Sequence, residues 1–254
     1  MKQIPNFFTL LNLFFGCVAL ICILQNGITI MYSADGIQYV DIPEKIWLAP
    51  LFIALAAAAD FIDGFVARLM KVNSPMGREL DSLADLVSFG VAPGMILFQF
   101  LRMSFMRQAN GADVSMILLL PALILPCAAA IRLARFNLDK TQSHSFKGIP
   151  VPAIGLLIAS FPLIYWTKNS NWVINILLNK WFIYSMVLLL SYGMISRFPV
   201  MAMKFSKATA GQRVPRILLL LIALVSLYFF HWLAVPVVFL FYIVLSLVFK
   251  NRIV

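Results

Sequence analysis

Asp60, Asp63, Asp81 and Asp85 stand within stretches of chain that are otherwise apolar; Leu51 to Ala59 carries no polar side chain at all. In lipid, a backbone with no water to bond must close its hydrogen bonds internally, which leaves helices or closed barrels as the spanning structures. A carboxylate on such a helix is costly unless it faces a partner charge or a wet cavity. Four of them within 26 residues therefore constrain the fold: the two segments that carry them must pack so that the acids meet, and something cationic must join them.

The rest of the chain supports a membrane setting. Of its 254 residues, 62% are hydrophobic and 12% charged, with a mean hydropathy of +0.94, which excludes an ordinary soluble domain. About 20 apolar residues make one helical span. Spans are expected over 7–25, 46–69, 80–101, 115–133, 150–167, 179–197, 215–232 and 234–250. The expectation is an all-α polytopic membrane bundle forming one domain over 1–254, with a six-helix core over about 4–200 and two further C-terminal helices over about 215–250. Phe7 to Leu24 lacks a basic leader and an A-x-A site and reads as a retained span.

Cys17, Cys22 and Cys127 lie in apolar segments at spacings that match no metal or disulfide framework. His144 and His231 form no pair at helical spacing. With the N-terminus inside, 15 of the 20 Lys and Arg residues fall on the cytoplasmic side, leaving Lys45, Arg102, Arg107, Lys168 and Lys180 opposite. That bias places both termini, and the cytoplasmic ends of the second and third spans where the acids lie, on the inner face of the cytoplasmic membrane. The net charge of +10 is spread over short membrane-flanking loops, which suits anionic lipid headgroups better than nucleic acid.

Asp60 and Asp63 are i,i+3 neighbours on a helix, and Asp81 and Asp85 are i,i+4 neighbours. Asn73-Ser74-Pro75 marks a turn between the two segments. Four hard oxygen donors suit Mg²⁺ or Mn²⁺. Gly64, Ala67 and Gly77 supply small walls about one turn from the acids, and Arg68 a planar charged fork for phosphate. Metals, arginine and small walls together describe a diphosphate site; an ion pathway of the kind found in transporters is the competing reading of the same acids.

The pattern D-x2-D-G-x2-A-R-x8-G-x3-D-x3-D is present over residues 60–85 without gap or substitution. It resembles the signature of the CDP-alcohol phosphotransferases, integral membrane enzymes with a six-helix core that move a phosphoalcohol group from a CDP-linked donor to a hydroxyl and release CMP. Flanking segments narrow the likeness to the serine-accepting bacterial subgroup: Pro5-Asn6-Phe7-Phe8-Thr9-Leu10-Leu11-Asn12, Arg132-Leu133-Ala134-Arg135-Phe136-Asn137 and Phe146-Lys147-Gly148-Ile149-Pro150-Val151-Pro152-Ala153. The resemblance covers roughly residues 4–160.

The resemblance implies two divalent cations, Mg²⁺ or Mn²⁺, with Asp60 and Asp81 bridging them, Asp63 completing one site and Asp85 the other. It makes Asp85 the general base. It places Asn6, Phe7, Phe8, Thr9, Gly64, Ala67, Arg68, Ser74 and Gly77 against CDP-diacylglycerol, and it implies a homodimer as the common assembly. Arg132, Arg135, Asn137 and Lys147 are candidates for binding L-serine, whose carboxylate needs a cation. Glycerol 3-phosphate or an inositol species remains an alternative acceptor. On this reading Asp85→Asn is expected to abolish CMP release while leaving membrane insertion intact; near-normal turnover would remove Asp85 from the base role.

Overall fold

A computed structural model describes residues 4–25, 29–32, 38–41, 45–70, 74–107, 114–138, 146–167, 171–196, 199–200 and 210–249. Lys2, Asp35, Glu44, Lys71, Asn73, Lys140, His144, Lys168, Arg197, Lys204, Lys207, Lys250 and Arg252 lie outside the described residues, as do the side chains of Asp41, Lys147 and Arg213.

Helix α1 (Ile4–Leu24) carries no charged residue, and Pro5 falls in its first turn, where a missing N–H costs nothing. Its 21 residues at 1.5 Å each reach about 30 Å, the thickness of a bilayer core. A 3₁₀ turn (Ile46–Leu48) leads into α2 (Ala49–Leu69), with Pro50 in its first turn and Arg68 in its last. There the guanidinium complements the negative helix end.

Ser74 then caps α3 (Pro75–Asp85), its hydroxyl accepting the Gly77 N–H at 2.9 Å. Helix α3 continues through a wide π-type turn (Leu86–Val91) into α4 (Ala92–Met106). Together they form one helix of 32 residues. Pro93 accounts for the wide turn: it can donate no N–H, and its ring crowds the carbonyl of Phe89 four residues back.

The remaining helices are α5 (Ile124–Leu138), α6 (Val151–Trp166), α7 (Asn171–Leu177), α8 (Lys180–Ile195), α9 (Ala210–Phe230) and α10 (Ala234–Val248). Two short antiparallel pairings complete the described elements: β1 (Thr29–Tyr32) with β2 (Gln38–Asp41), and β3 (Phe146–Lys147) with β4 (Pro199–Val200). Gly148, at φ 79°, turns the chain from β3 into α6, a conformation that favours glycine.

The chain is an all-α polytopic membrane bundle. Among the described residues, five helical segments are long and apolar enough to cross a bilayer, or six if α7 and α8 count as one bent span. Two details differ from the eight expected spans. The segment expected over 179–197 is preceded by α7, at 61° to α8; Asn179 caps a new helix there, accepting the N–H groups of Trp181 and Phe182. Helix α6 has only 16 residues, short for a full crossing. The split expected between 215–232 and 234–250 is present: Val214–Val248 is apolar over 35 residues, too long for one span, and breaks at His231, whose φ is 48°. Helices α9 and α10 pack against each other beyond that break.

All five tryptophans fall at connections on the end of the bundle away from the acids. Trp47 and Trp166 stack there with ring centroids 5.2 Å apart, as an interfacial aromatic belt requires. The main core cluster includes Phe89, on the wide turn, and Phe100, which are among the largest fully buried side chains; a smaller cluster of Val200, Leu219, Tyr242 and Leu245 lies between β4, α9 and α10. Small residues set the helix spacing. A Cβ at Gly155 of α6 would lie 2.9 Å from Phe89 Cβ and 3.0 Å from Phe89 Cα, so α6 meets the wide turn backbone to backbone. Gly155→Ala is expected to destabilise the bundle by about 1–3 kcal/mol, read as a lower thermal midpoint in detergent.

Candidate active site

Helix α1 packs along both α2 and α3 and supplies the neutral polar groups that meet the acids. Thr9 Oγ1 donates to Asp63 Oδ2 at 2.7 Å. One turn further, Asn12 Nδ2 donates to Asp85 Oδ1 at 3.1 Å. Asp63 and Asp85 are the more deeply placed acids, 6% and 8% exposed, whereas Asp60 and Asp81 are half-buried. The i,i+3 and i,i+4 spacings on facing helices bring them together across the turn at Ser74.

Asp60, Asp63 and Asp81 each offer a carboxylate oxygen within 4.8 Å of the other two. Carboxylates this close repel one another unless a proton or a cation stands between them. Among the described residues, buried Asp81 Oδ1 has no hydrogen-bond partner. A convergent set of hard oxygen donors with an orphaned buried lone pair fits a divalent cation. Asp85 stands outside this trio, one helical turn beyond Asp81, on its bond from Asn12.

Above the trio opens a pocket of about 180 Å³. Its lining includes Asn6, Thr9, Gly64, Ala67, Ser74 and Gly77 together with Asp63 and Asp81. Gly77 has to be small: a Cβ there would lie 2.8 Å from Ser74 Oγ and 3.0 Å from Asn6 Oδ1. Arg68 folds back over Gly64, its Nη1 3.6 Å from where a Cβ would stand. Phe7 points outward and is 62% exposed, while Phe8 meets its ring edge-on at 5.8 Å; neither lines the pocket.

The four acceptor candidates diverge. Arg132 of α5 is half-buried, its Nε has no hydrogen-bond partner among the described residues, and it lies within electrostatic reach of Asp85. Arg135 Nη1 instead donates to the Ile195 carbonyl at 3.1 Å, capping α8. Asn137 Nδ2 bonds Ser82 Oγ at 2.9 Å and Glu79 Oε2 at 3.3 Å, tying α5 to α3. The Lys147 side chain is outside the described residues.

Three residues join the site without having been expected there. Arg78 lines the pocket; its place next to Gly77 was the available signal. Asn12 was visible as a lone carboxamide in an apolar run, but its partner was not. Tyr242 of α10 lies within electrostatic reach of Arg132, and no local pattern pairs those two positions. A larger cavity, of about 690 Å³ between α6, α8 and α10, is lined almost wholly by apolar side chains and holds no carboxylate.

A membrane-embedded helical bundle with an acidic cluster beneath a small polar pocket is thus the class of protein that the fold and site define. The sequence pattern of the CDP-alcohol phosphatidyltransferases matches residues 2–190, and the chain belongs to that family. It is 33% identical over 156 residues to the CDP-diacylglycerol–serine O-phosphatidyltransferase of Helicobacter pylori (strain J99 / ATCC 700824), covering 61% of this chain and 54% of that protein. Against the protein of the same name in Saccharomyces cerevisiae, identity is 35% over 165 residues, covering 61% and 52%. Against the one in Methanocaldococcus jannaschii it is 31% over 175 residues, covering 69% and 68%. The chain spans about half the length of the first two relatives.

Asp81→Asn removes one of the three converging donors. It is expected to weaken Mn²⁺ binding by more than about 10-fold, measured by electron paramagnetic resonance on the purified protein.

Proposed function

We propose that this chain transfers the phosphatidyl group of CDP-diacylglycerol to the hydroxyl of L-serine, giving phosphatidylserine and CMP. The observation that carries this reading is the convergence of Asp60, Asp63 and Asp81 beneath a pocket walled by the small and polar residues of the signature. The shared name of the relatives supports serine as the acceptor.

Asp60, Asp63, Asp81 and Asp85 would hold two divalent cations, Mg²⁺ or Mn²⁺. When bound, such ions screen the diphosphate and stabilise the CMP leaving group. The residues of the chain do the rest. Thr9 fixes Asp63, and Asn6, Ser74 and the small walls at Gly64, Ala67 and Gly77 admit the cytidine diphosphate. Arg68 stands over Gly64, suited to a charge-assisted phosphate contact, while the acyl chains stay in lipid. Arg132 is the cation assigned to the serine carboxylate, because it lies within electrostatic reach of Asp85, whereas Arg135 and Asn137 are engaged with Ile195 and with Ser82 and Glu79.

Asp85 takes the proton from the serine hydroxyl. The serine oxygen bonds to the lipid-bearing phosphorus as the bond from that phosphorus to the CMP oxygen breaks, so CMP leaves with the electron pair. The site faces the cytoplasm in the inner membrane, where CDP-linked lipid and serine can both reach it, with both termini inside. Residues 1–254 act as one domain.

The test is CMP release from CDP-diacylglycerol by purified protein with Mg²⁺ or Mn²⁺, in parallel with serine, glycerol 3-phosphate or inositol. Release that requires both serine and metal, with phosphatidylserine as product, is the expected result. Release only with another acceptor would overturn the serine assignment. No release with any acceptor, from folded protein, would overturn the reaction itself.

A further inference from the structure

Asn12 is wholly buried, at 0% exposure, in a helix with no charged residue. Its position is fixed from two sides. The hydroxyl of Ser88, itself fully buried, donates to the Asn12 backbone carbonyl at 3.0 Å. One turn along α1, Gly16 lets that contact form, since a Cβ there would collide with the Ser88 side chain. Helix α1 is thereby locked against the helix that carries Asp85, three residues beyond it. The carboxamide Nδ2 donates to Asp85 Oδ1, and among the described residues nothing bonds Oδ1 of Asn12.

A polar side chain buried in an apolar helix is stabilised only where it is hydrogen-bonded, and the bond that the Asn12 carboxamide makes is to Asp85. The chemical type fits as well. A lysine or arginine at this place would neutralise Asp85 and compete with a metal ion or a proton for it. A carboxamide orients the carboxylate and leaves its charge available. It engages one oxygen of Asp85, so the second oxygen remains for chemistry.

We propose that Asn12 is a positioning residue for Asp85, holding its carboxylate in the orientation in which it accepts the acceptor's proton and completes the cation site. This rests on the reading of the function given above. Thr9, one turn earlier on the same face, does the same for Asp63, so α1 orients one carboxylate from each of the two acidic helices.

Asn12→Leu keeps the approximate shape and removes the donor; Asn12→Ala removes it without placing a branched side chain near Ser88. Both are measured as purified full-length protein. The expected result is a kcat for CMP release lower by about 10- to 100-fold, with the KM for CDP-diacylglycerol within about twofold of wild type and Mn²⁺ binding weakened by about 10-fold. Wild-type kcat and Mn²⁺ affinity in either folded variant would overturn the proposal, as would a rise in KM with kcat unchanged. Failure of both variants to fold would assign Asn12 to the scaffold and overturn it too. If wild type itself releases no CMP with any acceptor, the functional reading falls, and Mn²⁺ affinity in the variants still decides whether Asn12 positions Asp85.

Discussion

The rest of the structure is arranged around the mutual repulsion of carboxylates in a setting that cannot solvate them. Like charges at close range inside a low-dielectric region cannot coexist without compensation. The bundle answers with neutral donors on α1 and a cluster of oxygens that fits a divalent cation. Thr9 and Asn12 are suited to this because they orient an anion without cancelling it. A wall of lysines would stabilise the acids and leave them unable to hold a metal ion.

Bringing a neutral helix that close depends on small residues and on one irregular turn. Gly16 against Ser88 and Gly155 against Phe89 both place a glycine on the wide turn that follows Asp85. The turn itself follows from Pro93, one helical turn further on. The proline that spoils regular helix geometry also sets the surface onto which α1 and α6 dock. Site and scaffold share residues here, which is why the acids can be held rigidly on helices rather than on loops.

The two C-terminal helices lie beyond the residues matched by the family pattern. They are not a detached appendage. Helix α10 packs on α6 and on β4, and Tyr242 lies close enough to Arg132 to interact with it electrostatically. A segment outside the shared core thus reaches the side of the site assigned to the acceptor.

Much of this was legible in the chain as written. Apolar run lengths placed the helices to within a few residues, because in lipid the backbone has no other way to satisfy its hydrogen bonds. The i,i+3 and i,i+4 spacings identified the acidic faces, and Asn73-Ser74-Pro75 marked the turn between them, although the helix begins at Pro75, earlier than the span expected over 80–101. The bend between α7 and α8 was less legible, because its cause is a single Asn179 cap inside an apolar stretch. What only the tertiary structure decided was pairing across distance: that Asn12 meets Asp85, that Arg135 caps α8, and that Arg132 lies within electrostatic reach of Asp85 and Tyr242. Local periodicity says which face of a helix a residue occupies. Which helix it then faces depends on side-chain volumes packed throughout the core, and no window of neighbouring residues contains that information.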